Sequence, residues 1–280
     1  MPHRSRLHAP VFLALVLSLA ASVPVAVRSA PAKVSTLEDI QKEFATVPCE
    51  DKERLAAVKA LYEKAGAPAA DIKIEQFDNV ENLVLVKPGA SAEKIVIGAH
   101  YDKVADGCGA VDNWTGQVAL TQLYQTLRDI PFKKTLVFVA FGREEKGLVG
   151  SRAMTKAIPE EQLPEYCAMI NIDSLGMGPP QVADNMSSKP LAKFTGELAK
   201  EMEIPFAHAS IGRANSDSSS FVAKQIPAVT IHGLNNNWQR VLHSGNDQPA
   251  KVNAASVYLG YRLALGMIVR LDQAACNAYR

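Results

Sequence analysis

Four apolar segments in this chain each run directly into residues that move protons or bind metals. KIVIGAHYD ends in His100 and Asp102, and TLVFVAFGREE ends in Glu144 and Glu145. CAMINIDSLG ends in Asp173 and PAVTIHGL in His232. Short unbroken runs of Val, Ile, Ala and Phe suit strands covered on both faces. Between them lie NWTGQVALTQLYQTLRD, SRAMTKAI, PLAKFTGELAKEM and AASVYLGYRLALGMIVRLDQA, all helical in pattern. Buried strands alternating with helices predict an α/β fold. The expectation is a three-layer sandwich with a mostly parallel, mixed central sheet and helices on both faces. In such sheets ligands bind beyond the carboxyl ends of the strands, where these polar residues fall. The pattern leaves strand order open.

Upstream, STLEDIQKEFA and DKERLAAVKALYEKAG read as helices, the second stopped by Gly66. DIKIEQF alternates with period two, and NLVLVKPG reads as a strand closed by Pro-Gly. Residues 1–32 read as a secretory signal peptide, with basic PHRSRLHAP before apolar VFLALVLSLAASVPVAV. Cleavage is placed after Ala32 in APA, with SLA at 18–20 as the competing site. An uncleaved anchor is the alternative, opposed by Pro24 and by the lack of a stop-transfer flank. The expectation is therefore an exported protein, periplasmic or secreted, with residues 33–280 forming one domain and no stable membrane anchor. Without the three leader arginines, 27 basic residues face 29 acidic ones, a net charge of −2. Nothing in that balance attracts nucleic acid or an anionic membrane. Export permits disulfides among Cys49, Cys108, Cys167 and Cys276. Cys49 and Cys276 lie near the two mature ends, and termini often lie close together, so they are the expected pair. Cys108 is then either a partner of Cys167 or a free thiol.

Each polar motif also has a bland reading. HYD at 100–102 puts a His beside a carboxylate that could fix its tautomer, but a surface turn looks the same. In GCGAVDNWTG, Asp112 is a ligand or a helix N-cap. In GREEKGLVGS the two glutamates are a working pair or a solvated turn balanced by Arg143 and Lys146. Asp173 follows a buried strand, where a bare carboxylate needs a cation, a hydrogen bond or water. His243 lies in the polar loop VLHSGNDQPAKV, with Asp247 placed to orient it or to cap the last helix.

Taken together, His100, Asp112, Glu145, Asp173 and His243 offer two imidazoles and three carboxylates. That mixture suits zinc, with cobalt or manganese as substitutes. In order, HYD, GAVDNWTG, FGREEKGLVGS, NIDSLG, SDSSSF and HSGNDQ resemble the motifs of exported co-catalytic di-zinc aminopeptidases. Glutaminyl cyclases, glutamate carboxypeptidases and the transferrin receptor ectodomain belong to the wider superfamily. The resemblance covers roughly Glu81 to the C-terminus. It implies a zinc-peptidase fold acting on peptides, with Asp112 bridging two zincs. His100 and Asp173 would complete one site, and Glu145 and His243 the other. It further implies Glu144 as general base, Asp102 behind His100, and a cis peptide between Asp112 and Asn113.

Two departures stand out. Leu242 replaces the Tyr that often precedes the last His, which makes His232 a candidate oxyanion or substrate contact. SDS replaces SDH, keeping Asp217 but placing Ser218 beside it. The rival readings are a single-zinc glutaminyl cyclase, a carboxypeptidase using Arg213 or Arg240, and a non-catalytic receptor-like domain. Trp238 or Trp114 could line a specificity pocket.

Overall fold

The computed structural model describes Met1, residues 33–212 and residues 214–280. The expected signal peptide and its cleavage site lie outside the described residues, as does Arg213. The chain runs α1 (Leu37–Glu43), α2 (Asp51–Lys64), β1 (Ile72–Phe77), β2 (Val80–Lys87), β3 (Lys94–His100), α3 (Thr115–Leu127), β4 (Thr135–Phe141) and α4 (Val149–Ala157). It continues with β5 (Tyr166–Ile172), β6 (Gln181–Ala183), α5 (Lys189–Glu201), β7 (Ala207–Ala209), α6 (Ser218–Ala223), β8 (Ala228–His232) and α7 (Ala254–Gln273).

The strands form one eight-stranded mixed sheet in the order β1-β2-β4-β3-β5-β8-β6-β7. The pairs β4·β3, β3·β5 and β5·β8 are parallel, whereas β1·β2, β2·β4 and β8·β6 are antiparallel. The parallel centre is the one that the apolar runs predict. Period-two alternation divides its side chains between two cores. Ile95, Ile97, Leu136, Phe138 and Ile170 pack with Val118 and Leu123 of α3 and Met267 of α7. Val96, Val137, Val139 and Met169 pack on the other face with Met154 of α4 and Phe221 of α6. Each fully buried Leu, Ile, Val or Phe side chain contributes about 1.5–3 kcal/mol. The sheet therefore needs both helical layers.

Local sequence sets the element ends. Thr36 and Asp39 exchange hydrogen bonds as a capping box at the start of α1. Asn253 accepts from the N–H groups of Ala255 and Ser256 and so caps α7. A Cβ at Gly98 would run into the Phe141 ring, which explains a glycine inside a buried strand. The short elements β6, β7 and α6 are not anticipated by the sequence pattern.

The cysteines correct the expected pairing. Cys49 is bonded to Cys108, and Cys167 to Cys276, in place of Cys49–Cys276 and Cys108–Cys167. Helix α2 packs on α3, which brings Cys49 to the loop feeding α3. The segment after α7 instead returns to the start of β5. There Arg280 donates to the carbonyls of Leu163 and Tyr166, beside Cys167.

Candidate metal centre

Adjacent parallel strands β4, β3, β5 and β8 end on the same side of the sheet, so the residues after them share one edge. His100 is the last residue of β3, and Asp173 follows β5, its N–H held by the Ile231 carbonyl at 3.0 Å. The glutamate pair sits in the turn after β4. The Asp102 carboxylate pins that turn, accepting from the N–H groups of Glu144 at 2.9 Å and Glu145 at 3.2 Å. His100 Nδ1 meets the Asp102 main-chain oxygen at 3.2 Å, closer than its carboxylate at 3.6 Å. Asp102 therefore orders the glutamates as well as backing the histidine. Among the described residues no ion pair joins Arg143 or Lys146 to this pair. Arg143 donates instead to the Asn79 carbonyl at 3.0 Å.

Asp112 arrives on a loop with Gly107 and Gly109 at positive φ, and the peptide joining it to Asn113 is cis. Asp247 holds this loop, accepting from the N–H groups of Val111 at 2.7 Å and Asp112 at 3.0 Å. It neither orients His243 nor caps α7, the two roles expected for it. Asp112 is not a side-chain N-cap either. Its Oδ1 lies 3.1 Å from His100 Nε2, and its Oδ2 lies 3.2 Å from His243 Nε2. His100 Nε2 is also 3.5 Å from Asp173 Oδ1, and His243 Nε2 is 3.2 Å from Glu145 Oε2.

Two clusters result, His100–Asp112–Asp173 and Asp112–Glu145–His243, each with donor atoms within 4.8 Å of one another. Asp112 belongs to both, and Glu144 belongs to neither. Among the described residues Glu145 Oε1 is buried without a hydrogen-bond partner, an arrangement that is costly unless a cation faces it. Imidazole and carboxylate donors without thiolates fit divalent cations of the zinc, cobalt or manganese kind. The five residues therefore fit divalent-cation binding, with Asp112 common to both clusters.

The protons of the bare cluster follow from this crowding. Burial pushes the Glu144 carboxyl well above its usual range, with Asp173, Asp217 and Asp112 adding to the shift. Burial opposes charging of His100, yet Glu144 and the carboxylates of Asp102, Asp112 and Asp173 hold it well above its usual value. Hydrogen bonding to the Asp112 and Glu145 carboxylates, which accept from the protonated ring, raises His243 to about 10. Burial works against the Asp112 carboxylate, but the two histidines hold its pKa well below the usual range. Such imidazole–carboxylate pairing marks places that cations can occupy.

A cavity of about 370 Å³ opens over the cluster. Glu144, Glu145, Asp173 and His243 form its polar side, and Met186, Ile211, Leu234, Trp238 and Leu242 its apolar side. Trp114 does not line it and is packed in the core. His232, at the end of β8, is 2% exposed and also faces this cavity. Its Nδ1 accepts from the Leu234 N–H at 3.3 Å, so the proton sits on Nε2, which has no partner among the described residues. Burial lowers its pKa to about 4, so the ring is neutral at pH 7. Asp217 is fully buried, neither oxygen has a hydrogen-bond partner among the described residues, and burial raises its pKa to about 7.

Three contributors escape sequence reasoning. Asn113 accepts from the Gly116 and Ser174 N–H groups and donates to the Ile172 carbonyl, tying the Asp112 loop to the end of β5. Ser216 donates to Asp173 Oδ2 at 2.5 Å. Arg54, 0% exposed, lies behind the loop. Asn113 carried a signal through its place beside Asp112 and Ser216 through the SDSSSF motif, whereas Arg54 carried none.

The family model for Peptidase family M28 matches residues 82–265. A probable leucine aminopeptidase of Arthroderma otae is 26% identical over 245 residues, covering 79% of this chain and 65% of its own length. This chain thus spans about two thirds of that relative. The solved structure of an Acidobacteriales bacterium glutaminyl cyclase superposes with TM-score 0.72 at 18% identity, over 91% of this chain and 99% of that one. BSAP, a zinc aminopeptidase from Bacillus subtilis, superposes with TM-score 0.62 at 20% identity, over 71% of this chain and 52% of that one. Both likenesses are of fold.

Proposed function

The chain belongs to peptidase family M28, and from that premise we propose that it is an exported zinc aminopeptidase with two ions per chain. The observation that carries the proposal is the pair of three-donor clusters sharing the two oxygens of Asp112. His100, Asp112 and Asp173 would hold one zinc, and Asp112, Glu145 and His243 the other. Bound there, zinc supplies Lewis acidity toward the peptide carbonyl and acidifies water. Glu144, close to the cluster but outside both donor sets, takes the proton of the attacking water and delivers it to the departing amine. His232 Nε2–H donates to the oxygen that gains charge in the tetrahedral state, the role left open by Leu242. Asp102 fixes the glutamate turn, Asp247 fixes the Asp112 loop, and Asp217 supports the site from below. The apolar wall seats the side chain of the N-terminal residue of a peptide substrate. Residues 33–280 act as one domain after the leader is removed, and two disulfides fit an oxidising compartment.

Glu144→Gln is the direct test. The variant should bind as much zinc as the parent while losing on the order of 10²–10⁴ in turnover of aminoacyl-nitroanilides. Parental turnover by that variant would remove Glu144 from the reaction. A glutaminyl cyclase is the second reading, favoured by the end-to-end match to a cyclase fold of similar length. Peptides starting with Gln separate the two, since an aminopeptidase releases free glutamine and a cyclase releases only ammonia.

A further inference from the structure

Arg54 on α2 is a fully buried cation with no part in the chemistry above. Its Nε donates to the Tyr101 carbonyl, and its Nη1 to Pro48 O at 3.2 Å and Cys108 O at 2.9 Å. Its Nη2 donates to Gly109 O at 3.2 Å, and the guanidinium lies 5.2 Å from the centre of the Trp114 ring. All four acceptors are main-chain carbonyls. Tyr101 separates His100 from Asp102, while Cys108 and Gly109 lead into Asp112 and Trp114 follows it by two residues. One rigid fork thus grips two of the three chain segments that deliver donors to the His100–Asp112–Asp173 cluster, those of His100 and Asp112. Two further links converge on the same place. The Cys49–Cys108 disulfide ties the loop to a point two residues ahead of α2, and Asp51 of α2 accepts from the Lys103 N–H at 3.1 Å.

A buried guanidinium is costly without a compensating role. Here the five donors of a planar fork match several carbonyls at fixed angles, a task that a Lys ammonium performs poorly. Burial lowers the Arg54 pKa only to about 10, held up by Asp51, Asp102, Asp112 and Asp247, so the group is charged at neutral pH.

We propose that Arg54 is a positioning residue for the metal centre, setting the spacing of His100 and Asp112 from behind through the carbonyls of Tyr101, Cys108 and Gly109. The inference rests on the two-ion reading. The test uses the purified apoprotein of Arg54→Met, Arg54→Lys and a control, Val58→Ala, one helical turn along α2 and also fully buried. Zinc affinity is read by competition with a chromogenic chelator, kcat and KM are read separately after zinc loading, and Tm is read for each. Both Arg54 variants should lose roughly 10- to 100-fold in zinc affinity and in kcat with KM little changed, Arg54→Lys the less so. Val58→Ala should lose Tm but keep zinc affinity. Parental zinc affinity in Arg54→Met would overturn the inference, and so would an equal loss in Val58→Ala. Should Arg54→Met fail to accumulate as folded protein, Arg54→Lys decides on the same readouts. A parent chain that takes up no zinc would instead sink the two-ion reading itself.

Discussion

At the scale of single residues, His232 and Leu242 face the same cavity over the cluster. Leu242 offers no hydroxyl, and His232 offers a neutral N–H whose tautomer is fixed by the Leu234 main chain. His232→Phe should therefore lower kcat by about 10²–10³ while leaving zinc content unchanged, the scale of losing one oxyanion donor. A kcat within about twofold of the parent in a steady-state assay would contradict the donor role. The candidate donor positions were legible because each follows a strand or a loop with its own sequence pattern, although the choice of Glu145 over Glu144 rested on the family resemblance. Which nitrogen of His232 carries the proton was not legible, because a main-chain N–H two residues on decides it. The double grip of Asp102 on the Glu144 and Glu145 N–H groups was equally hidden, since it spans more than forty residues of chain.

Among the elements, the long periodic segments announced themselves and the short ones did not. Strands β3, β4, β5 and β8 carry enough consecutive apolar residues to mark burial on both faces. Strands β6 and β7 have three residues each, too few for any period to appear. The disulfides were misread for a related reason, because pairing depends on where α2 and the tail after α7 dock. Cys167–Cys276 closes a separation of 109 residues at the amino end of β5, away from the strand ends that carry the cluster. Replacing both cysteines by Ala should cost about 2–4 kcal/mol in urea unfolding, with kcat unchanged. A fall in kcat at full folding would show that this end of the sheet communicates with the site.

For the whole molecule, the sheet sets carboxylates and histidines at one edge, where burial opposes leaving them bare. Asp112, Glu144, Glu145 and Asp173 share one cavity, and Glu145 Oε1 has no hydrogen-bond partner among the described residues. Cations that bind the folded chain and not the unfolded one raise stability by mass action, about 4 kcal/mol at a thousandfold excess over Kd. Chelation should therefore lower Tm as well as abolish activity. The most direct measurement is metal content by inductively coupled plasma mass spectrometry on the active protein, followed by stepwise zinc return to the chelated protein. Two zincs per chain, with turnover and Tm restored as the ions return, is the predicted result. One zinc or none per fully active chain, or full peptide hydrolysis after chelation, would contradict the two-ion centre.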